Sequence, residues 1–110
     1  MDIQNTYSSK EMPGIVYKRR GRSTMYYVPY NIEENNGTYS FKYVSLTPEN
    51  YNYGGLVDAI IGTKYELKNM LAIINNYLVD NTNESYLADF MEMQDWRDFA
   101  KSESKKHFNI

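Results

Sequence analysis

The chain has 110 residues, 42% of them apolar, no cysteine and a formal net charge of −2. That length fits a single domain, which buries roughly 65% of its unfolded surface and can therefore hold a core of its own. The lack of cysteine excludes disulfides, thiolate metal sites and cysteine nucleophiles, and the slight acidity argues against broad attraction to nucleic acid or anionic lipid.

Residues 1–12 show no sustained period and read as a flexible arm. They are polar, with neither a basic n-region nor an apolar h-region, so no secretory signal is expected. Pro13-Gly14 is a turn signal, and residues 13–47 then read as a β-meander. The first strand is Ile15 to Arg19, β-branched and aromatic. Arg20-Gly21-Arg22-Ser23 supplies the reversal. A second strand, Thr24 to Ile32, puts Tyr26, Val28, Tyr30 and Ile32 on one face and Met25, Tyr27 and Asn31 on the other. Pro29 cannot donate to a ladder, so the strand is an edge at that point or carries a bulge. Asn36-Gly37 accepts the positive φ angles of a type I′ hairpin. The third strand, Thr38 to Leu46, sets Tyr39, Phe41 and Tyr43 against Ser40, Lys42 and Val44, and Pro48 ends the pairing.

The stretch from Tyr53 to Leu78 is the centre of the pattern, and residues 53–106 read as the helical part. Leu56, Val57, Ile60 and Ile61 form the densest apolar run. It is too short to separate helix from buried strand by period, and a short helix entered through Gly54-Gly55 is favoured over a fourth strand. Thr63 and Glu66 have capping-box spacing. Leu67, Met70, Leu71, Ile74, Tyr77 and Leu78 follow as one apolar stripe, giving a helix over 64–79. Asp80-Asn81-Thr82-Asn83 breaks it, with Asn83 or Thr82 capping a last helix from Glu84 to about Lys105. Its stripe is Tyr86, Phe90, Met93, Trp96 or Arg97, and Ala100. A connection this short predicts an antiparallel helix pair covering the aromatic face of the meander. The expected fold is α+β: a three-stranded antiparallel β-meander followed by two or three α-helices packed on one face, in a single domain. No apolar run approaches the ~20 residues that cross a bilayer, so no membrane association is expected.

Little in this pattern is chemistry. The single histidine, His107, stands close to the last residue and reads as solvated, with neither the partner nor the pocket that a general base needs. Asp80-x-Thr82-x-Glu84 lacks the glycine and terminal glutamate of a calcium loop. Gly54-Gly55 at a helix entrance offers N–H groups to an anion, but no Gly-x-Gly-x-x-Gly or Gly-Lys-Ser/Thr accompanies it, and close backbone packing is the plainer role. Neither a metal, a cofactor nor a catalytic residue is expected. Glu33-Glu34 reads as a solvated pair at the hairpin end. Eight of the twelve tyrosines fall between Tyr17 and Tyr53, large rigid surfaces with polar tips. Tyr26, Tyr27 and Tyr30, with Trp96 and Arg97, are the candidate protein interface, since such residues anchor interfaces; packing of Trp96 into the core, with Arg97 at its rim, is the competing role. Lys18, Arg19, Arg20 and Arg22, in the Tyr-flanked hairpin 17–27, are the candidate nucleic-acid contact, phosphates on the cations and bases on Tyr26 and Tyr27.

Two segments carry a family resemblance. Tyr53-Gly54-Gly55-Leu56-Val57-x-Ala59-Ile60-Ile61, followed by Lys64-Tyr65 and the helix Asn69-Met70-Leu71-Ala72-Ile73-Ile74-Asn75-Asn76-Tyr77-Leu78, resembles small prophage-encoded proteins found among tail and tail-fibre genes. Met93-Gln94-Asp95-Trp96-Arg97-x-x-Ala100-Lys101 is similar to the Trp-Arg helix that ends many phage tail-fibre assembly-like proteins and tail tip subunits. The resemblance covers the C-terminal half and implies a virion-associated or assembly-accessory protein. The function it implies is non-enzymatic and structural, exercised through protein partners or self-association, in the host cytoplasm or on the virion. A small nucleic-acid-binding accessory protein is the alternative.

Overall fold

The computed structural model of the chain describes residues 7–20 and 23–110, and of residues 16–20 and Ser23 the backbone alone. Four strands, β1 (Tyr7–Ser9), β2 (Val16–Arg20), β3 (Ser23–Asn35) and β4 (Thr38–Leu46), precede three helices, α1 (Tyr53–Gly62), α2 (Leu67–Val79) and α3 (Glu84–Phe108). The sheet is antiparallel with order β1-β4-β3-β2. β2, β3 and β4 are the expected meander, and the fold is α+β. The arm expectation is corrected at Tyr7–Ser9, which pairs with Tyr39–Phe41 as a short edge strand. Three residues are too few to show a period, which is why the sequence reads as unstructured there. The reversal expected at Gly21-Arg22 lies outside the described residues.

The β3–β4 turn forms as the Asn-Gly pair demands. Asn35 pairs with Thr38 across Asn36 and Gly37, whose φ angles are 54° and 80°. Pro29 faces Tyr43 of β4, while the pairing with β2 reaches no further along β3 than Tyr27, opposite Val16, so β3 is an edge on the β2 side at the residue that cannot donate. Just beyond, the register shifts between Tyr30 and Glu33, and Asn31 takes a left-handed φ of 53°.

Alternation divides the sheet into two faces, and the helices cover the one that is mainly aliphatic. Val28, Tyr30, Val44 and Leu46 join Leu56, Val57, Ile60 and Ile61 of α1 and Ala100 of α3 in one buried cluster. The expectation that the helices cover Tyr39, Phe41 and Tyr43 is therefore corrected. Phe41 and Tyr43 fall on the opposite pleat from Val44, where Tyr7 of β1 closes on them at centroid distances of 6.1 and 5.4 Å. The reason is parity: Val28, Val44 and Leu46 share a face, and the branched side chains of α1 dock there.

Leu56–Ile61 is helical, as favoured. Asn52 caps α1, accepting from Gly55 N at 2.8 Å. Gly55 must be glycine, because a Cβ there would lie 1.9 Å from the Asn50 carbonyl oxygen. α1 packs on both α3 and β4, whereas α2 packs chiefly on α3. The Thr63–Glu66 capping box does not form. Thr63 is the C-cap of α1, with φ −67° and ψ −22°, and its hydroxyl donates back to the Ile60 carbonyl at 2.7 Å. A capping-box threonine needs extended backbone, and α2 starts only at Leu67, with Glu66 at its N-cap position. α3 begins as expected, with Asn83 accepting from Ser85 N and Tyr86 N. It runs on to Phe108, where left-handed Asn109 terminates it and Lys105, Lys106 and His107 occupy the last turn.

Candidate functional site

Extension of α3 past Lys105 changes the surroundings of His107. The ring is half-buried rather than solvated, and its Nε2 is 2.8 Å from the Tyr51 hydroxyl. Tyr51 also meets Tyr26 and Phe108 edge-to-face, at 4.7 and 5.3 Å. Burial lowers the His107 pKa below its ordinary value, which favours the neutral ring. Burial also raises that of Tyr51, with Tyr26 adding to the shift. The solvated reading of His107 is therefore corrected. A helical terminus ties itself to the residues just before α1, and the pairing depends on a contact 56 residues apart in sequence, which no local signal announces.

Beside this tie lies a cavity of about 730 Å³ bordered by Tyr30, Ile32, Tyr39, Glu103, Lys106 and His107. Glu103 and Lys106 among its lining residues already serve the fold, while Glu34 also borders it. Glu103 accepts from the Asn31 backbone N–H at 3.0 Å, holding the strained bulge residue, and Lys106 stands 4.0 Å from the same carboxylate. The one polar partner of His107 among the described residues is Tyr51. No group of three or more His, Asp or Glu able to hold a metal occurs among the described residues. Asp80 instead accepts from the backbone and hydroxyl of Thr82 at 3.1 and 2.7 Å, bonds that lower its pKa in the inter-helix turn. At Gly54-Gly55 the Gly55 N–H that an anion would use is taken by Asn52.

The candidate interface residues do not converge. Tyr30 is core, 3% exposed, with its pKa raised by burial and moderated by Thr63. Tyr26 and Tyr27 are half-buried on successive, opposite-facing positions of β3. Trp96 is half-buried; its Nε1–H donates to the Ile60 carbonyl at 3.1 Å, and its ring stacks on Phe99 at 4.9 Å. Lys64 lies over the same indole and pairs with Glu92 at 2.9 Å, a bond that raises the Lys64 pKa. Arg97 is turned roughly 100° from Trp96 around the helix. It bonds Gln94 at 3.3 Å and lines an open groove of about 690 Å³ with Ile61, Tyr65, Met70, Leu71 and Ile74. Of the nucleic-acid candidates, Lys18, Arg19 and Arg20 have backbones in β2; their side chains, and all of Arg22, lie outside the described residues.

What sequence reasoning missed is the outer side of α2. It contributes no fully buried residue, and Leu67, Leu71 and Leu78 are 68, 52 and 73% exposed along it. The stripe is legible in the sequence; that Leu67, Leu71 and Leu78 are left exposed is not. Compared with known proteins, the chain matches no protein-family model, no curated protein and no solved structure.

Proposed function

We propose that this chain is a non-enzymatic structural or assembly-accessory protein of a phage-like element, acting through protein–protein contacts. The observation that carries the reading is the exposed leucine row on α2, an apolar face on a helix whose own fold leaves it uncovered. The polar corner at His107 supports it from the other side, since His107 bonds to Tyr51 and Glu103 to the backbone of Asn31. Placement in a phage-like element, in the host cytoplasm or on the virion, rests on the resemblance of the C-terminal half. No helix among the described residues is long and apolar enough to cross a membrane.

The test is molar mass in solution, by light scattering after size exclusion at two concentrations and at low and high salt. A defined multimer that persists in high salt is the expected result. A strict monomer that instead binds DNA with steep salt dependence, lost on charge reversal of Arg19 and Arg20, overturns the reading in favour of a nucleic-acid accessory role.

A further inference from the structure

We infer that α2 is the contact between two copies of this chain, packed antiparallel across a two-fold axis that passes between Ala72 and Ile73. The inference rests on the protein–protein reading above and names both its partner and its surface. Leu67, Leu71, Ile74 and Leu78 recur at steps of four, three and four residues, so they share one stripe. The same spacing reads identically in both directions. A two-fold interface requires a patch complementary to itself. Reversing α2 about the point between Ala72 and Ile73 sets Leu67 against Leu78 and Leu71 against Ile74 of the second copy. Apolar side chains meet apolar side chains along the whole row, with no charged residue in it.

Two other large side chains of α2 face their own protomer. Tyr77 stacks on Phe90 of α3 at 4.1 Å, with its ring 7° from parallel, and Met70 packs against the main core. These hold the helix to its own protomer and turn the leucine row outward. The row does not stop at the helix. Leu67, Leu71 and Ile74 continue into the groove lined by Ile61, Tyr65 and Arg97, so a second helix laid along α2 has a wall to rest against as well as a row to interleave with. Area agrees with a weak dimer. Each of the three exposed leucines offers on the order of 100 Å² of apolar surface. With part of the flanking groove wall, that gives on the order of 300–400 Å² per protomer, or about 600–800 Å² for the pair, the size of a weak, transient contact rather than of a permanent one. The dimer is accordingly expected to dissociate on dilution and to be insensitive to salt.

The experiment uses the intact chain. Sedimentation over a hundredfold range of concentration is expected to move from one chain mass, 13.0 kDa, to twice that value. Leu71→Glu should weaken association at least tenfold while the circular dichroism spectrum is unchanged; Leu78→Lys, at a position 73% exposed, serves if the first variant loses helix. Because the chain has no cysteine, single cysteines report the geometry directly. Leu71→Cys lies near the axis, its two copies separated by about 4–5 Å along the helices, whereas the two copies of Leu78→Cys are about 16 Å apart. A short bis-maleimide should therefore link Leu71→Cys to itself and leave Leu78→Cys unlinked, while a mixture of Leu67→Cys and Leu78→Cys gives the heterodimer. Self-linking of Leu78→Cys at the level of Leu71→Cys overturns the antiparallel arrangement. A multimer untouched by Leu71→Glu and Leu78→Lys overturns this surface while the protein–protein reading stands. A monomer throughout the concentration range overturns both.

Discussion

α1 and α2 are neighbours in sequence and both carry an apolar stripe, yet they have opposite fates. All four aliphatic residues of the run in α1, Leu56, Val57, Ile60 and Ile61, are buried. α2 is three residues longer, 13 against 10, and buries none fully. The difference lies in how many sides each helix has covered. α1 is held between β4 and α3, while α2 lies chiefly against α3, with Met70 reaching the main core, and leaves the rest of its stripe open. An amphipathic period reports that a face wants covering; it does not say which molecule covers it.

The largest expected effect is at the entrance to α1. Gly55→Ala puts a Cβ 1.9 Å from the Asn50 carbonyl oxygen, a backbone atom that cannot rotate away. A cost of about 3 kcal/mol or more is expected, read as loss of a cooperative urea transition. Next comes a matched pair that measures the contrast directly. Ile60, fully buried, should lose about 2–4 kcal/mol on substitution by alanine. Leu71→Ala, at 52% exposure, should lose under about 0.5 kcal/mol in dilute solution, as surface changes do. Equal losses at the two sites would break the contrast between the helices. A loss at Leu71 that grows with protein concentration would sharpen it, since only an occupied face depends on mass action.

Much of the fold was legible because its signals are local. Asn36-Gly37 specifies its turn through two positive φ angles, Asn83 marks the start of α3, and Met93 and Ala100 fall on the stripe that α3 buries. The errors arise where two local patterns compete or a distant residue decides. Thr63 has capping-box spacing, but the backbone is still helical there and the hydroxyl finds the Ile60 carbonyl first. Strand alternation shows that the meander has two faces and leaves open which one α1 takes. His107 reads as a terminal residue until Tyr51, remote in sequence, is brought to it. The candidate site suffered most, since Tyr30 was consumed by the core and Arg97 became a groove wall rather than the companion of Trp96.

Smaller effects divide along the same line. Asn83 accepts two backbone N–H groups at the start of α3, so Asn83→Ala should cost about 1 kcal/mol. Because α3 supports both other helices, that loss should appear at Ile60 and at Tyr77 alike in hydrogen exchange. Protection lost near Tyr77 alone would mean that α2 opens independently of α1.

The Tyr51–His107 tie should act on one side only. Burial holds the folded pKa of His107 below the unfolded value of about 6.5. The folded state therefore binds the proton less well than the unfolded chain does. The stability that the neutral ring contributes is fully present above that unfolded value and is lost as pH falls through the lower folded one. Denaturation from about pH 7.5 to about pH 5 should show this decline, and His107→Gln, which cannot titrate, should flatten it. Tyr51→Phe removes the hydroxyl partner at a cost of about 1 kcal/mol above the transition. Hydrogen exchange locates the effect: protection should fall in the last turn of α3 on acidification, while the middle of α2, far in sequence from any histidine, keeps its own. A uniform loss through α2 would mean that its packing on α3 depends on the tie at the far end of that helix, and the two regions would then be one cooperative unit rather than a tied half and an open one.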